Sequence, residues 1–378
     1  MCCPSSSVSR RHPRILPFLL LVACLLGGRT ALADPRPREP MSGGELAHAL
    51  HRLQTAGSVL YVAAHPDDEN TALLAWLTHV RDLRTGYLSL TRGDGGQNLI
   101  GPELGAPLGV IRTHELLAAR RMDGAEQRFT RAIDFGFSKS ADETLRLWGR
   151  DSVLADVVWA IRSFQPDVIV TRFPPDSTAG HGHHTASAIL AEEAFAAAAD
   201  PARFPEQLAR VAPWQAKRLF WNVFSFGRVQ PESTWIAADV GAYDPLLGRS
   251  MNEIAAVSRS NHKSQGFGSA ERRGTSLQYL VRKQGAPARL DPFEGVDLTW
   301  ARYPGGAPVG ALLAQAEKAF DARHPERVLP ILARARRHGE ADPATAHRAP
   351  PRRTRTGHGL VCRAVGRGGH AAPHGDAG

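Results

Sequence analysis

The chain has 378 residues, 43% of them hydrophobic, and a formal net charge of +9. That charge sits at the two ends: residues 1–33 carry Arg10, Arg11, Arg14 and Arg29 with no acid, residues 347–378 carry six arginines against Asp376, and the body between them is neutral. A nucleic-acid-binding face is therefore not supported for the body. The four cysteines, Cys2, Cys3, Cys24 and Cys362, leave no disulfide framework and no multi-cysteine zinc site there.

Taken in chain order, the N-terminus reads as an export signal. Three arginines precede an apolar run from Ile15 to Leu26, and Ala31-Leu32-Ala33 offers a small-residue cleavage site before Asp34. The run is shorter than the roughly 20 residues a membrane span needs. Leu21-Val22-Ala23-Cys24 also resembles a lipoprotein box, so contact with a membrane is expected only through lipidation at Cys24. The expected location is periplasmic or extracellular.

Residues 34–56 read as a Pro-rich linker followed by a helix with Leu46, Leu50 and Leu53 at helical spacing. A domain is expected over residues 57–300. Its first strand is Val59–Ala64, followed by a helix over about Asn70–Val80 and a strand over Thr85–Leu90 that ends in a glycine-dense loop. A helix over about Val110–Gln127 and a short strand at Ile133–Phe137 come next. The amphipathic helix Asp151–Phe164 is broken by Pro166 before a buried strand, Asp167–Thr171. Thr185–Ala199 is helical, strands are expected at Arg218–Phe224 and Thr234–Ala238, and a helix at about Leu246–Ser260 closes the domain. Residues 301–340 form a helical extension, and 341–378 have the composition of a disordered basic tail, with an onset abrupt enough to suggest a truncated or frame-shifted end. Strands alternating with helices predict an α/β fold, Rossmann-like, with a mostly parallel sheet covered on both faces. Ligand sites of such folds gather at the carboxyl ends of the strands.

Two strand ends carry the chemistry. The first delivers His65-Pro66-Asp67-Asp68-Glu69, and the second, after Val168–Val170, delivers Gly180-His181-Gly182-His183-His184. A lone strand-end histidine is usually a satisfied polar residue. Two acids beside one histidine, converging with a second histidine group, point instead to a metal site. His65 and Asp68, three apart across a turn, can face one cation, which leaves Asp67 free as a base. Two imidazoles and a carboxylate leave an open position on zinc, as hydrolytic sites do. A further histidine near the metal would stabilise an oxyanion and protonate a leaving amine.

Ala64-His65-Pro66-Asp67-Asp68-Glu69 resembles the A-H-P-D-D-E signature of the PIG-L/LmbE-like deacetylases, metal-dependent N-deacetylases of GlcNAc-containing compounds, and His181-Gly182-His183-His184 is similar to their H-x-D-H motif. The resemblance implies His65, Asp68 and His184 as zinc ligands, Asp67 as general base and His181 as electrophile and acid. It also implies substrate binding by the loop Arg92-Gly93-Asp94-Gly95-Gly96, with Arg92 and Asp94 as its polar residues. Arg112 and Glu115 resemble an R-x-E-E helix start, with His114 where an acid is usual. His183 departs from the pattern by standing in place of an aspartate, which leaves its own role and that of His181 open. The match covers residues 57–200 well and continues more loosely to about 285.

The expected partner is a small molecule or glycan with an acylated amine, and the expected cofactor is one divalent metal, zinc or else iron. Two other readings remain open. His65-x-Asp67…His184 also fits the H-x-D…H site of non-haem iron oxygenases, which usually sit on all-β double sheets. A metal-stabilised glycan-binding module without catalysis is the other. The segment Ser258–Gly268, polar and glycine-rich after a helix, is either a cap on the cleft or a surface turn.

Overall fold

Hydrophobic runs without alternation need two covered faces. Such runs form the centre of the sheet: β1 (Ser58–Ala63) and β4 (Val168–Thr171) are buried at every residue. The computed structural model describes residues 41–224 and 229–341. The expected export signal with Cys24, the linker before Met41 and the tail after Ala341 lie outside the described residues.

Helix α1 (Gly43–Arg52) starts on a capping box between Ser42 and Glu45. After β1 come α2 (Thr71–His79), β2 (Arg84–Ser89), α3 (Ala106–Asp123), β3 (Glu126–Phe129), α4 (Ala141–Trp148) and α5 (Arg150–Phe164). Beyond β4 follow α6 (Gly182–Ala197), β5 (Arg218–Asn222), β6 (Ile236–Asp239) and a two-stranded hairpin of β7 (Tyr243–Asp244) and β8 (Arg249–Ser250). The described chain ends with α7 (Met251–Arg259), β9 (Leu277–Gly285), α8 (Gly306–Lys318) and α9 (Leu329–Ala341).

The seven-stranded sheet runs β3-β2-β1-β4-β5-β9-β6. The first five strands are parallel, and β9 is antiparallel to both β5 and β6. The expected mostly parallel α/β sheet is therefore present. Strand alternation divides the core. Leu60 and Val62 face a cluster with Val157, Ile161, Leu190 and Ala194 of α5 and α6, whereas Val59, Tyr61 and Ala63 face Leu73, Leu77, Met251 and Ile254 of α2 and α7. A third cluster joins α1 to α8 and α9 through Leu46, Leu50, Trp300, Leu313 and Leu332. The order reverses between β1 and β4, so the crevice of this sheet lies between the two strand ends that carry the motifs.

Three local expectations are corrected. Ile133–Phe137 is a loop, and the third strand is Glu126–Phe129, in residues read as the end of a helix. That helix stops at Asp123 because Gly124 takes a left-handed conformation (φ 75°). Edge strand β3 escapes notice because all four of its residues are only half-buried and show no apolar pattern. Strand β9, mostly polar and partly exposed, was likewise not expected. Several arginines of the body are buried. Arg218 is fully buried and donates to the carbonyls of Ala286, Pro287, Pro292 and Glu294, and Arg162 is buried against five carbonyls and Gln207.

Candidate metal centre

The turn after β1 folds back on itself. Asp68 accepts from the backbone N–H of Ala64 (3.1 Å) and of His65 (2.7 Å), and its Oδ2 lies 3.1 Å from His65 Nδ1. Asn70 then caps α2 by accepting from the N–H of Leu73. The turn after β4 is also locally built. A short 3₁₀ turn at Ser177–Ala179 and Gly180 (φ 76°) lead to His181, the N-cap of α6, whose Nδ1 accepts from the N–H of His183 at 3.0 Å. His184 Nδ1 donates to the carbonyl of Ala179 (3.1 Å), and its ring stacks on Phe173 at 3.8 Å. Its Nε2 is thereby aimed at Asp68 Oδ1, 3.4 Å away.

Among the described residues, two trios have donor atoms within 4.8 Å of one another: His65–Asp68–His184, and His65–His181–His183. Tautomers separate them. A neutral imidazole has one lone pair. His181 spends its lone pair on the His183 N–H, so its Nε2 carries a proton, and the second trio would form only by giving up the helix cap. In the first trio, the Ala179 carbonyl fixes the proton of His184 on Nδ1 and leaves Nε2 free. The donor set of two imidazoles and a carboxylate suits zinc. A histidine whose outer N–H is held by a carbonyl is also the usual arrangement of a metal ligand.

Charge follows the same division. Against the upward push of burial, His184 and His65 hold the Asp68 carboxyl well below the usual carboxylate range. Burial, with His65 and His184 nearby, brings His181 down to about 4, and burial beside His65, His181 and His184 brings His183 down to about 2. Both rings are neutral at neutral pH.

Asp67 is not one of the trio's donors, and its Oδ1 accepts from Arg112 Nη2 at 2.5 Å. The glycine loop serves that contact. A Cβ on Gly93 or Gly96 would lie 2.4 Å or 2.0 Å from the Arg112 guanidinium. Asp94 lines a cavity of about 380 Å³ with Leu104, Ile133, Asp134 and Phe135. Arg92 is spent elsewhere: it is exposed, lies over Phe129 at 4.1 Å and donates to Thr113.

Several residues of the centre were not singled out from sequence. Asp134 is buried, 3.7 Å from His183 Nδ1 and 3.9 Å from His65 Nε2. The misplaced third strand hid it, since a strand ending at Phe129 would have put Asp134 just past a third strand end. Tyr87 donates its hydroxyl to the carbonyl of His65. Within the segment Ser258–Gly268, the buried Ser258, His262 and Ser264 belong to a brace beside the turn after β1. Arg259 donates to the carbonyl of Asp67, and His262 Nε2 lies 2.7 Å from Glu69 Oε1. Arg120 joins Glu69 (3.1 Å) to Asp123 (2.5 Å), and Ser258 donates to Asp123, all buried. Ser264 binds Glu115 through its N–H and its hydroxyl.

Residues 60–195 match the family model of GlcNAc-PI de-N-acetylase, PIG-L. That stretch of the chain is similar to a PIG-L domain. The 1D-myo-inositol 2-acetamido-2-deoxy-alpha-D-glucopyranoside deacetylase of Streptomyces scabiei is 31% identical over 208 residues, 50% of this chain and 59% of that protein. The chain thus spans about three fifths of that relative's length. Two solved structures are more distant likenesses. N,N'-diacetylchitobiose deacetylase from Pyrococcus horikoshii shares 17% identity at a TM-score of 0.41, over 68% of this chain and 82% of that one. GalB, the 4-carboxy-2-hydroxymuconate hydratase of Pseudomonas putida, shares 16% at 0.43, over 61% and 98%. Likenesses that remote say nothing of chemistry. The motifs at His65–Glu69 and His181–His184 both fall within the residues that match the PIG-L family model.

Proposed function

We propose that the protein is an exported, zinc-dependent hydrolase that deacetylates an N-acetylated amino sugar or related amide. The observation that carries this reading is the convergence, at one sheet edge, of a metal-ligand trio (His65, Asp68, His184), a carboxylate outside the trio (Asp67) and a neutral histidine with its N–H free to donate (His181). The match to the PIG-L family model supports the reaction class, and the relatives' printed activity supports an acetamido sugar as substrate. Export rests on the N-terminal sequence, through cleavage after Ala33 or lipidation at Cys24. The parallel sheet offers no support to the iron-oxygenase reading, which expected an all-β scaffold.

A cation held by His65, Asp68 and His184 supplies Lewis acidity to an amide carbonyl and acidifies water. Asp67 takes a proton from the attacking water as its oxygen bonds to the carbonyl carbon. Arg112 holds that carboxylate by one oxygen, which leaves Oδ2 for the proton. His181, with Nδ1 tied to the backbone, presents Nε2–H to the developing oxyanion. A neutral histidine is a poor acid, so the proton on Asp67 goes to the leaving nitrogen as the C–N bond breaks, giving acetate and a free amine. Asp94, at the wall of the neighbouring cavity, offers an acceptor to a substrate hydroxyl.

Acetate release and amine formation across a panel of N-acetylated sugars test the reading. Asp67→Asn is expected to keep its zinc and lose about 10²–10⁴ in kcat. Wild-type-like turnover in that variant would remove Asp67 from its role.

A further inference from the structure

We infer that Asp134, acting with His183, is the outer support of the metal ligand His65: a positioning residue for the cation rather than a ligand to it. The inference rests on the proposed metal trio. His65 Nδ1 faces Asp68, so a cation held there leaves the remaining proton of the ring on Nε2. Metal-bound histidines donate that proton to an acceptor, whose removal loosens the metal. The atom in reach is His183 Nδ1, 3.0 Å away.

An imidazole nitrogen is a neutral acceptor, and a ring that shares its electrons with a cation gains positive charge. The nearby carboxylates are already engaged. Asp68 belongs to the trio, and Asp67 is tied to Arg112. Asp134 is left, with one oxygen 3.7 Å from His183 Nδ1 and the other 3.9 Å from His65 Nε2. It stands at the junction of the two rings in a buried place, where charges are weakly screened.

The surroundings hold it there. Asp134 Oδ1 accepts from the N–H of Gly136 at 2.9 Å. The carbonyl of Ile133, one residue before, accepts from Trp148 Nε1 at 3.0 Å. Phe135 meets the His183 ring edge-on at 4.4 Å, and Trp148 lies 4.8 Å from it. A side chain at Gly95 would collide with the Asp134 carbonyl at 2.5 Å and the Gly136 nitrogen at 2.3 Å, so the glycine loop packs against the backbone that carries this carboxylate.

The test measures zinc affinity by chelator competition for wild type, Asp134→Asn, His183→Asp and the double variant. Asn keeps the acceptor for Gly136 and removes only the charge, so the metal-free thermal midpoint should not fall. Zinc should bind about 10–100-fold more weakly to D134N, and the visible absorption bands of the cobalt-loaded protein should shift. In the H183D background the same change should cost less than about threefold, because the carboxylate introduced there takes the His65 proton directly. Unchanged zinc affinity in D134N, or an equal loss in both backgrounds, would overturn the assignment of Asp134 and leave the trio standing. A wild-type protein that binds no zinc would defeat the trio, and this inference with it.

Discussion

Among the described residues, two clusters of histidines stand beside carboxylates, and one of them brings its donor atoms together as a metal site would. At the sheet edge, His184 and His65 turn nitrogens toward Asp68, while backbone or ring partners occupy their far sides. Where α1 meets α2, His48, His51 and His79 gather beside three carboxylates, yet among the described residues their donor atoms form no trio within reach of one cation. His48 lies 3.0 Å from His79 and 3.1 Å from Asp244, and His51 lies 2.7 Å from Glu317 and 3.4 Å from Asp82. A count of histidines and acids does not distinguish the two. What does is whether the lone pairs left after hydrogen bonding converge on one point.

Zinc itself gives the largest expected effect. An ion that binds only the folded state stabilises it by about 4 kcal/mol when its concentration exceeds Kd by a thousandfold. Thermal melting with and without zinc should show a rise of several degrees in wild type. His184→Ala should erase that increment, and His48→Ala should lower the baseline yet keep it. A zinc-dependent rise that survives H184A, or vanishes in H48A, would reverse the roles of the two clusters.

Proton binding separates the clusters next. Burial, opposed by Asp244 and reinforced by Arg52 and His51, brings His48 down to about 4, and burial with Arg52 and His48 holds His79 well below its ordinary value. The unfolded chain takes up these protons near pH 6.5. Between about 6.5 and 4 it therefore binds more protons than the folded chain, and stability falls as pH falls through that window. Above 6.5 neither group contributes. His51 is raised, chiefly by its bond to Glu317, so its contribution has the opposite sign and is shared by both proteins compared. In metal-free protein, urea midpoints over this range should slope less steeply for His48→Gln than for wild type. Parallel slopes would mean that His48 is charged in the fold.

The readability of these features tracks distance along the chain. The turn His65–Glu69 and the group His181–His184 stand out because each follows an apolar strand and forms its contacts within a few residues. The brace beside the first turn does not, since Arg120 and His262 reach Glu69 across 51 and 193 residues. Long-range pairing of this kind leaves no local period or spacing. Asp134 falls between the cases. Its place past a strand end was readable in principle, but Glu126–Phe129 is held at the sheet edge by pairing to β2 and carries no hydrophobic signal of its own.

The same contrast holds for arginines, with a smaller effect. Arg92 and Arg112 flank the glycine loop, and sequence resemblance places the first of them at the substrate. In the fold, Arg112 holds Asp67 and the carbonyl of Gly93, whereas Arg92 lies on the surface over Phe129. Arg92→Ala should cost only about 0.5–1 kcal/mol of stability, the worth of an exposed cation–π contact, and leave KM and zinc affinity as they are. Arg112→Ala should leave zinc in place and lower kcat, because the base loses the partner that orients it. A severalfold rise in KM for R92A would bring Arg92 into the site when substrate binds. The glycine loop would then have to swing its first residue off Phe129, a movement that quenching of a reporter placed on the loop would register.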